Sequence, residues 1–451
     1  MIEVVITSIE EVYQRSEFLS KLEKIKIGGW VKSVRESKEI IFVALNDGSS
    51  LENLQLVILQ KNLSQVDLLK KINFASSLVV SGQLILTPER EQTCELRVFE
   101  IEFIGSSTDD YPLQKKSIPL EIVREYPHLR AKTNYFLTLF RLRHSVSKAI
   151  QDFFHQEGFY YVSTPIITSD DAEGAGELFN ITTKEKESFF SKPTTLTVSG
   201  QLQAEALAQG LGKVYTFAPC FRAEKSHTTR HLAEFWMIEP EMAFADLETI
   251  INLAKRLVKY VINYIVNNNI KELEFLENYN RKEIINKLKK ILSNDFRKVD
   301  YSEGIEILKK NKQKFVFNDI KWGMDLQSEH EKYLCQHFDN SPIFITNYPT
   351  DLKAFYMKNN PDEKTVACFD LLLPEIGELI GGSMRENSYE ILKEKAQKVG
   401  LDTSDLSWYL DLRKYGYAPS GGFGLGLERL IMFISGTENI RDTIAFPRYS
   451  S

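Results

Sequence analysis

The chain has 451 residues, 56 basic and 62 acidic side chains and a formal net charge of −6, with 43% hydrophobic and 26% charged residues. That length predicts two or three domains of ~150 residues and excludes a disulfide-stapled miniprotein, while the mild acidity excludes a histone-like binder of nucleic acid but not one local basic groove. Cys94, Cys220, Cys335 and Cys368 lie far apart without a C-x-x-C pair, the first residues carry acids where a signal peptide carries bases, and no run reaches ~18 apolar residues. A cytoplasmic protein with no membrane partner is expected.

From Lys24 to Ile104 the segments KIKIGGWVKSV, EIIFVALND, ENLQLVIL, SSLVVSGQLIL and ELRVFEIEFIG read as five short strands divided by turn residues. They predict a five-stranded OB-fold barrel over 1–108, with a helix at DLLKKI between the third and fourth strands. Pro112, Pro119 and Pro127 make 109–132 a hinge that holds neither a long helix nor a central strand.

Beyond it, Leu139, Leu142, Val146, Ile150 and Phe153 recur at spacings of three and four, an amphipathic helix closed by Gly158 and followed by the strand FYYVSTPII. LTVSG, KVYTFAPCF, EFWMIEPEMAF, VACFDLLL and GELIGGSMRE are rich in β-branched and aromatic residues without βαβ spacing, which predicts an antiparallel sheet. Leu247, Ile250, Ile251, Ala254, Val258, Val261, Ile262 and Ile265 form one helical stripe. The expected fold class is therefore α+β, with 133–451 as a second domain carrying a helical insertion over about 268–318.

Familiar nucleotide and metal signatures are missing. GLGKV at Gly210–Val214 lacks the hydroxyl and spacing of a P-loop, and Gly422, Gly424 and Gly426 have the wrong spacing and place for a dinucleotide fingerprint. His227 and His231 in HTTRH lack the glutamate of a zinc protease and sit among arginines, so a plain loop outweighs a zinc site.

The segment PCFRAEKSHTTRHLAEFWMIEPEMAF carries more. It puts Arg222 and Glu224 at a strand end and Phe235 on the returning strand: a planar fork for phosphate, an acceptor for an exocyclic amine and a ring on which a base stacks. GGFGLGLERLIMFISG adds a glycine-rich strand running into a helix with Arg429 at the junction.

Together with the helix and strand ending at Pro165, these segments resemble motifs 2, 3 and 1 of the class II aminoacyl-tRNA synthetases. SGQLQAEALA, RHLAEFWMIEPEMAF, YPTDLKAFYM, GELIGGSMRE and WYLDLRKYG extend the resemblance to the asparaginyl-tRNA synthetase family from about Ile25 to Arg448. Lys225 and His227, where Asn is usual, and Met384, where Gln is common, depart from that pattern.

The resemblance implies ATP-dependent formation of asparaginyl-adenylate with release of pyrophosphate, then transfer to the 3'-terminal adenosine of tRNA(Asn). It gives Arg222 to the α-phosphate, Arg429 to the γ-phosphate, Glu224 and Phe235 to the adenine, His231 to the ATP site, and Asp370 with Glu378 to Mg²⁺, Glu378 touching ATP as well. Glu173, Gln201 and Glu239 fall to the substrate's ammonium, and Arg35, Phe42 and Gln55 to anticodon bases. A homodimer through motif 1 is implied too. The chemistry suits these residues, because the attacking carboxylate is already charged and needs no general base.

Asparagine and aspartate differ in charge and not in shape. Where aspartyl enzymes carry a lysine, this chain has Ala204 followed by Glu205, so Glu205 is expected to accept the side-chain amide N–H and Arg385 to donate to its oxygen. An aspartyl-tRNA synthetase, an ammonia-dependent asparagine synthetase and a non-enzymatic RNA-binding relative are the alternatives; the barrel opposes the second, and the intact set of Arg222, Glu224, Asp370, Glu378 and Arg429 opposes the third.

Overall fold

Alternation closes the barrel. Strands β1 (Ile25–Glu36), β2 (Ile40–Asn46), β3 (Leu54–Leu59), β4 (Ser77–Leu86) and β5 (Cys94–Gly105) pair in the order β1-β2-β3-β5-β4, and their inward positions, among them Ile27, Val43, Leu56, Val80 and Leu96, fill one core. Gly82 is where β4 crosses β5 most tightly: a Cβ there would lie 2.1 Å from the Arg97 carbonyl oxygen, so only glycine fits. The computed structural model describes residues 6–450 other than 60–68, 70, 91, 115–117, 171–177, 184–188 and 227. Most of DLLKKI lies outside the described residues, but Leu69 and Ile72 sit in the barrel core.

One element of this unit left no mark on the sequence reading. The short helix Ile9–Gln14, N-capped by Ser8, inserts Ile9 and Val12 into the barrel core, and the Ile9 N–H donates to Asp47 Oδ2 at 2.8 Å. Among its described residues the proline-bearing segment holds only the helix Leu120–Arg124 and a 3₁₀ turn at Arg130–Lys132. By contacts the chain divides into two units, Met1–Thr138 and Leu139–Ser451.

The helix Asn134–Gln156, which enters the second unit at Leu139, buries the anticipated stripe there, and Gly158 at φ +75° turns the chain. Eight strands form a sheet in the order β11-β12-β13-β14-β15-β10-β9-β6: β6 (Tyr160–Tyr161), β9 (Lys213–Phe221), β10 (Glu234–Ala243), β11 (Arg297–Asp300), β12 (Ile343–Thr346), β13 (Cys368–Leu373), β14 (Gly377–Met384) and β15 (Ser420–Gly426). A separate pair joins β7 (Ile167–Thr168) to β8 (Thr195–Leu196).

The strands from β12 to β9 are antiparallel as anticipated, but both edges are parallel, β11 with β12 and β6 with β9. Strand β6 keeps two residues of the strand anticipated at FYYVSTPII, and β11, four residues long, lies in the stretch expected to be helical. The helices Tyr301–Lys310 and Ser328–His337 then carry the chain from β11 to β12 as a crossover.

The helix Leu247–Asn268, capped by Asp246 through the Thr249 N–H at 2.8 Å, lies against β14 and β15 and buries Ile250, Ile251, Ala254, Val258, Val261, Ile262 and Ile265. Met384 points to this side of the sheet, where its sulfur fills the space over Gly421. All four cysteines are buried, and among the described residues no helix is long and apolar enough to cross a membrane.

Candidate active site

Strand β10 alternates, so Phe235, Met237, Glu239 and Glu241 share one face of the sheet. The neighbouring strands meet that face with glycine. With Ile238 paired to Leu425, Glu239 falls beside Gly424, which pairs with Gly381, which pairs in turn with Asp370. A Cβ on Gly422 would stand 2.4 Å from Glu241 Oε1, and one on Gly424 2.7 Å from Met237 Cε. Glycine thus clears a floor between acids on β10 and acids on β13 and β14.

At one end of this floor the hairpin of β9 and β10 is closed by the Arg222 N–H on the Ala233 carbonyl at 3.0 Å. The Arg222 guanidinium lies 5.3 Å from the Phe235 ring centroid, and Glu224 Oε2 is 3.8 Å from His231 Nε2. Burial pushes the His231 imidazole below its ordinary value; Glu224 opposes this, while Arg429, Arg222 and Arg230 assist. Arg429, in the first turn of the helix Leu427–Ser435, donates to the Glu378 carbonyl at 3.0 Å and sits 3.5 Å from Glu378 Oε2. Arg222, Glu224, His231, Phe235, Glu378 and Arg429 line one cavity of about 180 Å³. All six residues anticipated for ATP are therefore brought together.

Arg230, in the polar loop between β9 and β10, lines the same cavity. It donates to the Glu375 carbonyl at 2.9 Å and the Ile376 carbonyl at 3.0 Å, and so ties the loop after β9 to the turn between β13 and β14.

The two acids anticipated for Mg²⁺ converge. A Cβ on Gly381 would stand 3.2 Å from Glu378 Oε1 and 3.5 Å from Asp370 Oδ1, so both carboxylates border one small space. These hard oxygens fit Mg²⁺. Among the described residues no group of three or more His, Cys, Asp or Glu side chains is placed to hold a metal alone, so the ion would complete its shell with phosphate oxygens and water. Asp370 is also held by Lys353 Nζ at 2.6 Å; burial raises its carboxyl above the ordinary value against the pull of that ammonium. Glu331, on the helix Ser328–His337, accepts the Glu378 N–H at 3.2 Å, and burial pushes its carboxyl up to about 7.

Around Glu239 lies a cluster of buried polar side chains. Gln201 and Glu205 are one turn apart on the helix Gln201–Leu211 and so share a face. Gln201 is buried, and its Nε2 has no partner among the described residues. Glu239 accepts the Gly200 N–H at 2.9 Å, the Thr216 hydroxyl at 3.2 Å and the Ser199 hydroxyl. Glu173 lies outside the described residues.

Glu205 and Arg385, anticipated as direct readers of the substrate amide, are both deeply committed to protein partners. Arg385 Nε donates to Glu241 Oε2 at 3.1 Å, Nη2 donates to Oε1 of the same carboxylate, and Nη1 donates to Ser383 Oγ at 2.6 Å. Burial, with Glu205 and Glu239 nearby and Arg385 opposing, pushes the Glu241 carboxyl up to about 7. Glu205 accepts from Arg413 Nη2 at 2.6 Å, from the Tyr417 hydroxyl at 2.7 Å and from the Tyr409 hydroxyl. Ala204 instead packs with Ala208 and Val214 in an apolar cluster.

In the barrel, Arg35, Phe42 and Gln55 line one cavity of about 350 Å³ with Glu36 and Ser37. Arg35 pairs with Phe42 across β1 and β2, and alternation turns Phe42 outward between the inward Ile41 and Val43. Phe42 is not a core residue.

The family model for class II tRNA synthetases (D, K and N) matches residues 119–450, and that for the OB-fold nucleic acid binding domain matches 25–104. An asparagine–tRNA ligase of Acetivibrio thermocellus is 47% identical over 98% of this chain and 98% of its own, and one of Mycoplasma mycoides is 49% identical over 96% and 97%. The chain belongs to the asparagine–tRNA ligase family. It is an enzyme of the ligase class, α+β, with an OB-fold barrel preceding a class II synthetase domain. Among solved structures, asparaginyl-tRNA synthetase from Pyrococcus horikoshii complexed with asparaginyl-adenylate superposes with a TM-score of 0.88 at 32% identity, covering 100% of this chain and 99% of that one. A putative aspartyl-tRNA synthetase from Leishmania major, at 20% identity and a TM-score of 0.81, shares the fold.

Proposed function

We propose that the chain activates L-asparagine with ATP and transfers it to tRNA(Asn), releasing pyrophosphate and then AMP. The observation that carries this reading is the convergence of the six nucleotide residues on one cavity, on the same sheet as buried carboxylates that suit an ammonium.

The amino acid's α-carboxylate is the nucleophile, so the protein's task is to position it and to stabilise charge. Arg222, held at the hairpin end, meets the α-phosphate where charge develops, and Arg429 meets the γ-phosphate. Phe235 stacks the adenine and Glu224 accepts from its amine. Gln201, Glu239 and Glu173 take the α-ammonium. Asp370 and Glu378 would hold Mg²⁺, which would supply neutralisation of phosphate charge. Arg385 and Glu205 face the side-chain amide, Arg385 with N–H groups beyond those given to Glu241 and Ser383, and Glu205 with a lone pair beyond its three donors.

In the barrel, Arg35, Phe42 and Gln55 contact anticodon bases, Phe42 by stacking. The chain works in the cytoplasm as a homodimer through motif 1. Tyr160, Tyr161, Ile166 and Ile167, exposed apolar side chains in that segment, support this surface. Amino-acid-dependent exchange of pyrophosphate into ATP over all twenty amino acids, followed by charging of tRNA, tests the whole reading. Exchange driven by aspartate in place of asparagine would overturn it.

A further inference from the structure

Glu205 and Arg413 are 208 residues apart, and neither side chain has exposed surface. Arg413 is clamped on every side: Nε donates to the Glu386 carbonyl at 2.9 Å, Nη1 to the Tyr409 carbonyl at 3.2 Å and Nη2 to Glu205, with its guanidinium carbon 4.3 Å from the ring centroids of both Tyr409 and Tyr417. Burying such a pair costs desolvation that Coulomb attraction roughly offsets, so well-packed apolar residues would serve stability as well. Two such buried pairs, Glu205 with Arg413 and Glu241 with Arg385, lie near enough that Glu205 acts electrostatically on both Glu241 and Arg385.

Their charges can be counted. Glu205, Glu239 and Glu241 bring three negative charges to the pocket wall, and Arg385 and Arg413 bring two positive ones. Tyr409, Tyr417 and Gln201 add none. Among these buried side chains the acids outnumber the bases, an excess that favours the substrate's ammonium and disfavours a second carboxylate on its side chain. Glu205 has one lone pair left after its three donors, and the orientation of that lone pair is fixed by Arg413 and Tyr417.

We propose that Arg413 and Tyr417 are positioning residues that set the preference for asparagine over aspartate by fixing the Glu205 carboxylate and balancing the charge of the pocket. Neither touches the reacting atoms. The proposal rests on the reading that this pocket takes asparagine.

The test is pyrophosphate exchange with asparagine and with aspartate for the wild type, Tyr417→Phe, Arg413→Lys and Glu205→Gln. Tyr417→Phe removes one hydrogen bond to Glu205 and keeps the ring over Arg413, so it preserves packing. It is expected to raise KM for asparagine several-fold, with kcat and KM for ATP little changed. Arg413→Lys keeps the charge but loses the planar fork, and is expected to lower the asparagine-to-aspartate ratio of kcat/KM by about tenfold or more. Glu205→Gln should lower that ratio further. A purely structural role would lower melting temperature and total activity without moving the ratio or separating KM for asparagine from KM for ATP, and that result would overturn the proposal. If Arg413→Lys does not fold, an unchanged asparagine KM and ratio in Tyr417→Phe overturns it alone. A wild type that prefers aspartate overturns the reading beneath, which is a different outcome from a selective wild type whose variants remain equally selective.

Discussion

Lys353 Nζ stands 2.6 Å from Asp370 Oδ2, with the ammonium 3.8 Å from the centroid of the Tyr348 ring, so one half of the proposed magnesium pair already has a resident cation. Lys353 keeps that buried carboxylate tolerable when no divalent ion is bound. Lys353→Met is expected to make folding stability depend on Mg²⁺, with a melting temperature that rises with added magnesium by several degrees more than that of the wild type. An equal response in both proteins would show that Lys353 carries no such load. Glu378→Gln, in contrast, should shift the Mg²⁺ titration of exchange to higher concentration.

Arg222 combines a hairpin-end backbone anchor with a guanidinium over Phe235. Arg222→Ala should reduce adenylate formation by on the order of 10²-fold or more, and Arg222→Lys should not restore it, because a point charge cannot reproduce the planar fork. Near-normal exchange by the alanine variant would remove the arginine from the mechanism.

Phe42 faces outward beside Arg35 and Gln55, on the opposite face of β2 from Ile41 and Val43. Phe42→Ala should weaken tRNA recognition by about 1–3 kcal/mol while leaving pyrophosphate exchange intact. Charging kinetics at varied tRNA concentration, read beside exchange, separate the two effects; equal losses in both would mean that Phe42 supports the fold.

Lys395 donates to Asn359 Oδ1 at 2.9 Å and to the Met357 carbonyl, and burial pushes its ammonium down to about 8 from 10.5, with Glu386 opposing and Lys398 assisting. Between those two values the unfolded chain binds more protons than the folded one, so this group's contribution to stability rises with pH through that window. Denaturant midpoints of the wild type and Lys395→Met should therefore diverge in favour of the wild type between pH 8 and 10. A pH-independent gap would contradict this.

The legible parts of the molecule were those with strong periodicity or punctuation. The five barrel strands alternate cleanly, and the helix Leu247–Asn268 carries nine buried apolar positions on a 3.6-residue repeat. Strand β11, Arg297–Asp300, has only one buried side chain, Val299, so neither period can reveal it; its strand character comes from pairing with β12. The helix Ile9–Gln14 is similarly short, and its place is decided by the barrel end that receives Ile9 and Val12.

At the site, residue types with a direct chemical reason, such as Arg222, Phe235 and Arg429, were readable from their segments. Their partners were harder. Glu241 follows Glu239 by two, and strand alternation alone places both on one face, a signal present in MIEPEMAF. Arg413 sits in WYLDLRKYG with nothing local to mark it, because its partner Glu205 lies in a distant helix and only the folded chain joins them. Lys353 escaped for the same reason.

The glycines of β15 bear on tolerance to change. Phe423 and Leu425 are buried on the opposite face from Gly422, Gly424 and Gly426, so a slip of β15 by one residue would drive a phenyl ring and an isobutyl group into the nucleotide floor. Catalytic competence is thus tied to strand register as a yes-or-no condition. Variants that loosen the pairing of β14 with β15 should give mixtures of fully active and inactive molecules, with active-site titration falling while the turnover of the active fraction stays constant.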